Sequence, residues 1–208
     1  MNTPSHVILN LAILHRRLAG RLTAPPGSQA DTRGSSTQTT AIILGSLLPD
    51  AALFVFYGWA RFFTAASERQ IWGELYYGDG WQDIFAVGNS IPLALAGLGL
   101  ALWRKRPAWV ALFASMVLHH GEDLPLHNED AHRHFFPFSD VRVISPVSYW
   151  DADHFGAYAA LGEAILVMVA SVWLWRQHRN PWGRGLLLVV NSTYLWAYSQ
   201  FYLGAIGP

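Results

Sequence analysis

Cysteine is absent from this chain of 208 residues. Its absence excludes a disulfide scaffold, thiolate metal ligands and cysteine nucleophiles. Charge is scarce too: Asp, Glu, Lys and Arg make up 13% of the chain, against about 25% in an ordinary soluble domain. The 14 basic and 14 acidic residues cancel, which leaves no surplus for phosphates and excludes nucleic acid as a partner. Internal repeats, a P-loop and a dinucleotide-binding fingerprint are also missing. What abounds is apolar surface, at 52% hydrophobic and 14% aromatic residues with 10 Trp. Disordered chains are poor in these residue types, so the chain folds. The first question is whether its solvent is water or lipid.

Stretches 41–60, 84–103, 107–120, 155–175 and 185–206 are long and nearly free of charge. A helix of about 20 apolar residues crosses a bilayer, and 107–120 reaches that length if it runs from the 104–106 basic cluster to Asp123. An amphipathic segment precedes them, with Thr3 as its cap, Pro4 in its first turn and an apolar stripe over 7–18. No basic region precedes it, so no cleavable signal peptide is expected. The expected fold is an all-α polytopic membrane bundle of about six segments. It forms one integral membrane domain over 1–208, with a flexible inner linker at 23–39 and a His- and acid-rich outer loop at 124–153.

Alternating the six segments from an outer amino terminus puts Arg16, Arg17, Arg21, Arg33, Arg104, Lys105, Arg106, Arg176, Arg179 and Arg184 inside, opposed only by Asp31. Outside remain Arg61, Arg69, Arg133 and Arg142, among eleven acids. That distribution follows the positive-inside rule. It predicts a protein of the cell (inner) membrane, with both termini and the 124–153 loop on the outer side. Trp59, Trp72, Trp81, Trp103, Trp109, Trp150, Trp173 and Trp182 fall near segment ends, as interface anchors do.

Two acids lie inside spans, Asp50 after Pro49 and Glu163 within 155–175. A carboxylate at that depth is costly unless it is protonated, paired or bound to a cation. His15 and His178 belong to the basic inner loops; His6, His119, His120, His127, His132, His134 and His154 all lie on the outer half. His119 and Asp123 are four apart and share a helical face, which lets one helix offer two ligands to a metal. His127 continues the spacing beyond Pro125. At about 1.5 Å per residue, His6, Asp50, His119, Glu163 and Asn89 rise about 15–22 Å from the inner boundary and can meet at one level. Imidazole and carboxylate without thiol suit Zn, with Mn or Fe as alternatives.

Thr3-Pro4-Ser5-His6, Gly45-Ser46-Leu47-Leu48-Pro49-Asp50 and His119-x-x-x-Asp123 together resemble the predicted membrane-bound metal-dependent hydrolases of the LexA-regulated inner-membrane type, in a divergent subgroup. The resemblance implies a multi-pass helical protein with a His/Asp metal site and a hydrolase activity. Two departures stand out: Ala52 replaces the family's second Asp after Pro-Asp, and Val87-Gly88-Asn89-Ser90 stands where an H-R-x-x-T-H-S element is usual.

The leading expectation is thus a membrane-embedded metal-dependent hydrolase, acting on lipid esters or phosphoesters through a metal-activated water. His6, Asp50, His119, Asp123 and His127 are the candidate ligands, and Glu163 or Glu122 the candidate base. Asn89, His134, His154 and Arg133 are placed at the rim or against a lipid-like or small-molecule substrate. The alternative is a divalent-metal-binding or transport protein without chemistry, discriminated by whether polar side chains continue to the inner side through Asn191, Tyr194 and Tyr198. A haem or di-iron protein is the third reading; its histidine frames are incomplete. The sequence names no protein partner beyond the lipid bilayer.

Overall fold

The computed structural model describes residues 1–22, 29–177 and 180–203, with side chains at 1–14, 36–177 and 180–203. Among the described residues eight α-helices follow one another: α1 Thr3–Leu22, α2 Gln29–Phe63, α3 Glu68–Gln70, α4 Asp79–Gly88, α5 Ile91–Trp103, α6 Pro107–Asp123, α7 Gly156–Gln177 and α8 Pro181–Phe201. A π-helical turn, Ile71–Leu75, follows α3, and a 3-10 turn, Ala152–His154, precedes α7. Among the described residues there is no strand.

The helix starts obey local chemistry. Ser67 and Gln70 cap each other reciprocally at α3. Ser90 accepts from Leu93 N at α5, and Asn180 from Trp182 N at α8. Pro107 and Pro181 occupy first helical positions, where a missing N–H costs nothing.

The number of crossings differs from the sequence expectation of about six. Among the described residues three stretches are long and apolar enough to cross a membrane: Ser36–Phe63, Asp79–Trp103 and Gly156–Gln177. The other three segments are helical but fall short. In α1 only Thr3–Leu14 is apolar, and Ser5, His6 and Asn10 interrupt it. α6 has 17 residues, about 25 Å at 1.5 Å each, and its last turn carries His119, His120, Glu122 and Asp123. α8 is long enough, but Arg184, Asn191, Ser192, Thr193, Ser199 and Gln200 dilute its apolar content. Alternation through six crossings, on which the sidedness of the loops was counted, therefore does not apply. α2 starts at Gln29, so the expected linker at 23–39 is helical over 29–39, while 23–28 lie outside the described residues. The side chains of His15, Arg16, Arg17, Arg21, Asp31 and Arg33, and residues His178 and Arg179, also lie outside them.

The packing is inverted relative to a water-soluble bundle. Ser5, His6, Asn10, Ser46, Ser115, His119, Asp123 and Glu163 are buried. Ile165, Leu166, Val169, Leu186, Leu188 and Val189 are each more than half exposed. In water that arrangement would leave the hydrophobic effect unused; in lipid it satisfies both surfaces. With the three long apolar helices it marks a multi-pass membrane protein.

α2 packs against α6, α1 and α4, α5 against α6, and α7 bridges α1 and α8. Leu14, Ala41, Ile42 and Ala111 fill the junction of α1, α2 and α6, and Ile8, Val167, Ala170 and Leu174 that of α1 and α7. Beyond Asp50, Phe56 is buried among Ile71, Tyr76 and Phe85, and meets Trp72 and Trp81 edge-on.

Candidate metal centre

Two helical faces build the centre. On α2, Ile42, Gly45, Ser46, Pro49 and Asp50 recur at helical spacing, and on α6 Ala111, Ser115, His119 and Asp123 recur every four residues. Gly45 lets the two backbones touch: a Cβ there would stand 2.2 Å from Leu112 O. Asn10 of α1 joins them, its Nδ2 lying 3.0 Å from Ser46 Oγ and 2.9 Å from Ser115 Oγ. Ser115 Oγ donates to Ile42 O at 2.8 Å.

One turn further along lie the titratable groups. The His6 and His119 rings stack, with centroids 3.6 Å apart. His119 Nδ1–H donates to Ser46 O at 2.8 Å. A carbonyl only accepts, so the proton is fixed on Nδ1 and a neutral ring turns its Nε2 lone pair the other way. That Nε2 has no hydrogen-bond partner, yet it lies 3.1 Å from Asp123 Oδ2 and 3.4 Å from Asp50 Oδ1. His6 repeats the pattern: Nδ1 is 2.7 Å from Glu122 Oε2, and Nε2 is 3.1 Å from Asp123 Oδ1. Acceptors facing acceptors in a buried site cohere only with positive charge between them, either protons on the imidazoles or a metal cation.

The geometry suits a cation. Ligand atoms of His6, Asp50 and His119 all lie within 4.8 Å of one another. Bonds of about 2.0–2.2 Å need donors within about 4.4 Å, so a small contraction closes the group. This buried His/Asp/His cluster can coordinate a divalent metal ion. Thr3 Oγ1 donates to Asp50 Oδ2 at 2.5 Å and fixes the carboxylate. The Met1 amino group lies 2.6 Å from Asp123 Oδ1 and 3.3 Å from His127 Nε2, bringing one positive charge to the edge of the cluster.

His127 stands across Asp123, with Nε2 3.4 Å from Oδ1 and Nδ1 3.0 Å from Asp130 Oδ2. Burial works against charge on both partners. Their mutual hydrogen bond outweighs it, holding Asp130 below the usual carboxylate range and, together with Asp123, raising His127 above the ordinary imidazole value. Tyr149 stacks at an angle beside His127, and burial pushes its phenol well up, so it stays protonated.

The remaining sequence candidates are placed elsewhere. Glu163 is 3% exposed and accepts from Asn2, from Ser5 Oγ at 2.6 Å and from Tyr194 at 3.2 Å, which ties the start of α1 to α7 and α8. Asn89 caps α4 with its own side chain on Phe85 O, and its backbone carbonyl accepts from His134 Nδ1 at 3.0 Å. His154 pairs with Asp151 at 2.6 Å. Arg133 spans Asp83 at 2.5 Å and Asp140 at 3.0 Å, clamping the loop to α4. Thr3, Asp130, His120 and His132 had no site role in the sequence reading. The His119-His120 and His132-x-His134 pairs were the available signal for the last two.

Asp50, Met1, Thr3, His127, Asp130 and His132 line one end of a cavity of about 1380 Å³. The cavity runs between α1, α2 and α8 past Val7, Ile43, Leu47, Leu53, Leu187 and Val190 to Asn180 and Arg184. Comparison with known proteins finds no matching family model, no matching curated protein and no matching solved structure.

Proposed function

We propose that this is a membrane-embedded metal-dependent hydrolase acting on a lipid ester or phosphoester. The observation that carries the reading is the His6–Asp50–His119 cluster, whose Asp50 opens on a long apolar cavity. His6, Asp50, His119 and Asp123 hold the cation, with zinc favoured by the nitrogen and oxygen donors and manganese or iron as alternatives. When bound, the cation supplies Lewis acidity and lowers the pKa of a water toward neutrality. The chain does the rest. Ser46 O and Glu122 orient the two imidazoles; Glu122 is thereby a positioning residue rather than a base. Asp130 and Asp123 keep a proton on His127 at the cavity end, where it can be given to a leaving group. Glu163 acts on the site only by anchoring Asn2 and Ser5. The apolar walls hold an acyl chain in register and keep bulk water away.

The discriminator against ion transport is the far end of the cavity. Its walls there are Leu174, Leu187 and Val190, ending on Asn180 and Arg184, whereas the carboxylates among the described lining residues, Asp50, Glu129 and Asp130, belong with the His127 end. Asn191 turns instead to Ser171 Oγ at 2.8 Å and Leu187 O. The apolar stretch between the two ends favours a hydrocarbon chain over a cation.

The test is metal analysis of the detergent-purified protein, followed by hydrolysis assays on a panel of lipid esters and phosphoesters, before and after chelation. Metal-dependent hydrolysis that is lost with Asp123→Asn together with the metal supports the reading. Full metal occupancy without hydrolysis across the panel overturns it in favour of binding or transport. The expected placement is the cell (inner) membrane.

A further inference from the structure

The geometry points to a second metal-binding site beside the first, formed by the imidazoles of His120, His132 and His134. It does not rest on the hydrolase reading, since none of the three belongs to the His6–Asp50–His119 group.

His120 carries the inference. It is fully buried (0% exposed), and neither ring nitrogen has a hydrogen-bond partner. Buried polar groups are almost always bonded, and a histidine kept only for packing would be replaced at no loss by an apolar ring. His120 follows His119 on α6, about 100° further round the helix, so it faces away from the first cluster and toward the 124–153 loop. There it meets other imidazoles. Its ring centroid lies 5.9 Å from that of His134, and His134 lies 5.8 Å from His132. Two imidazoles on one tetrahedral cation, with bonds of about 2.0–2.1 Å, place their centroids about 5 Å apart. The observed spacings are wider, so the rings must rotate toward one another before one cation can hold them.

The surroundings prepare the ligands. His134 Nδ1–H donates to the Asn89 backbone carbonyl, which leaves Nε2 as a lone pair. His134 itself is 1% exposed, and its backbone is pinned because Ile91 N donates to His134 O at 2.9 Å. The break between α4 and α5 at Asn89–Ser90 thus has a use: it presents a carbonyl and an N–H to this one residue. His132 lines the cavity, so an ion held there would be reachable from it. No carboxylate is required among the three, and neutral nitrogen donors select zinc, cobalt, nickel or copper over magnesium or calcium.

The experiment is titration of chelator-stripped, detergent-solubilised protein with Co(II) alone, reading bound equivalents after gel filtration and the visible ligand-field spectrum. Wild type is expected to hold two equivalents. His134→Ala and His120→Asn should each fall to one, and Asp50→Asn should also fall to one while keeping the second spectrum. In the Asp50→Asn background, Cu(II) should show nitrogen hyperfine coupling that weakens on adding His132→Ala. That change lies on the cavity wall, so it keeps the test valid if the buried variants do not fold. One equivalent in wild type, or two in His120→Asn, overturns the proposal and shows a water-bridged imidazole cluster instead. Neither result touches the first site, whose loss is read separately in Asp50→Asn.

Discussion

Glu122 sits at the edge of the centre, its side chain 17% exposed, with one oxygen on His6 Nδ1. A group in that position fixes the tautomer and raises the basicity of its ligand, and its loss typically weakens metal binding about 10–100-fold. Glu122→Gln should do this with turnover falling in proportion, measured by competition with a chromophoric chelator. Unchanged affinity would reduce Glu122 to a surface pair. Glu163→Gln should behave differently. The amide cannot accept from Asn2, Ser5 and Tyr194 together, so stability should fall by about 1–3 kcal/mol, read as thermal unfolding in detergent, with metal affinity retained. A selective loss of turnover at full stability would restore Glu163 as the base. Its position within an apolar span made Glu163 legible as functional, but not which cluster it would join. Nine residues after His154 and level with His119 by rise, it turns instead toward α1 and α8. Depth is readable from sequence, whereas azimuth depends on how helices pack. His6, Asp50 and His119 could be grouped because they share one level, and Asp123 because it shares a helical face with His119 one turn above.

At the scale of elements, the close approach of α2 and α6 sets the site. Gly45→Val would drive a side chain into Leu112 O and Ser115 Cβ, costing about 1–3 kcal/mol through backbone shifts. It would also separate Asp50 from His119. Metal content should drop sharply in Gly45→Val, while Gly99→Ala, where a Cβ meets nothing within 4 Å, keeps it. Retained metal in Gly45→Val would show that the helices part without opening the cluster. Among the described residues the six apolar segments emerge as helical, 84–103 as parts of two helices, because apolar length, scarce charge and stop signals are local. How many are long and apolar enough to cross was less legible. α6 and α1 gain length by running into polar turns, and those turns are buried against other helices rather than exposed to lipid. The Asn89–Ser90 break was also hidden, because Val87-Gly88 and Ile91 look continuous in hydropathy.

For the whole molecule, the sidedness of the ends is the open quantity that a Cys-free chain makes measurable. With the three crossings no span separates residues 105 and 128, so Asn128→Cys and Lys105→Cys should react alike with an impermeant thiol reagent in intact cells; opposite behaviour would make α6 a further crossing. Asp50 has a further consequence in time. It lies midway along Ser36–Phe63, in the strand of chain made long before the α6 histidine that faces it. During synthesis α2 must enter the bilayer before His119 is made, with Thr3 of α1 as a partner for that carboxyl, at up to about 2.5–3.5 kcal/mol against insertion. Only when α6 arrives does Asp50 acquire His119, and only then does a place for a cation exist. Chains arrested before residue 107 should therefore hold α2 loosely in the membrane, and replacing Asp50 by Leu should tighten that hold. The same replacement in the finished protein would remove the ligand. The nascent chain and the mature protein thus favour opposite residues at position 50.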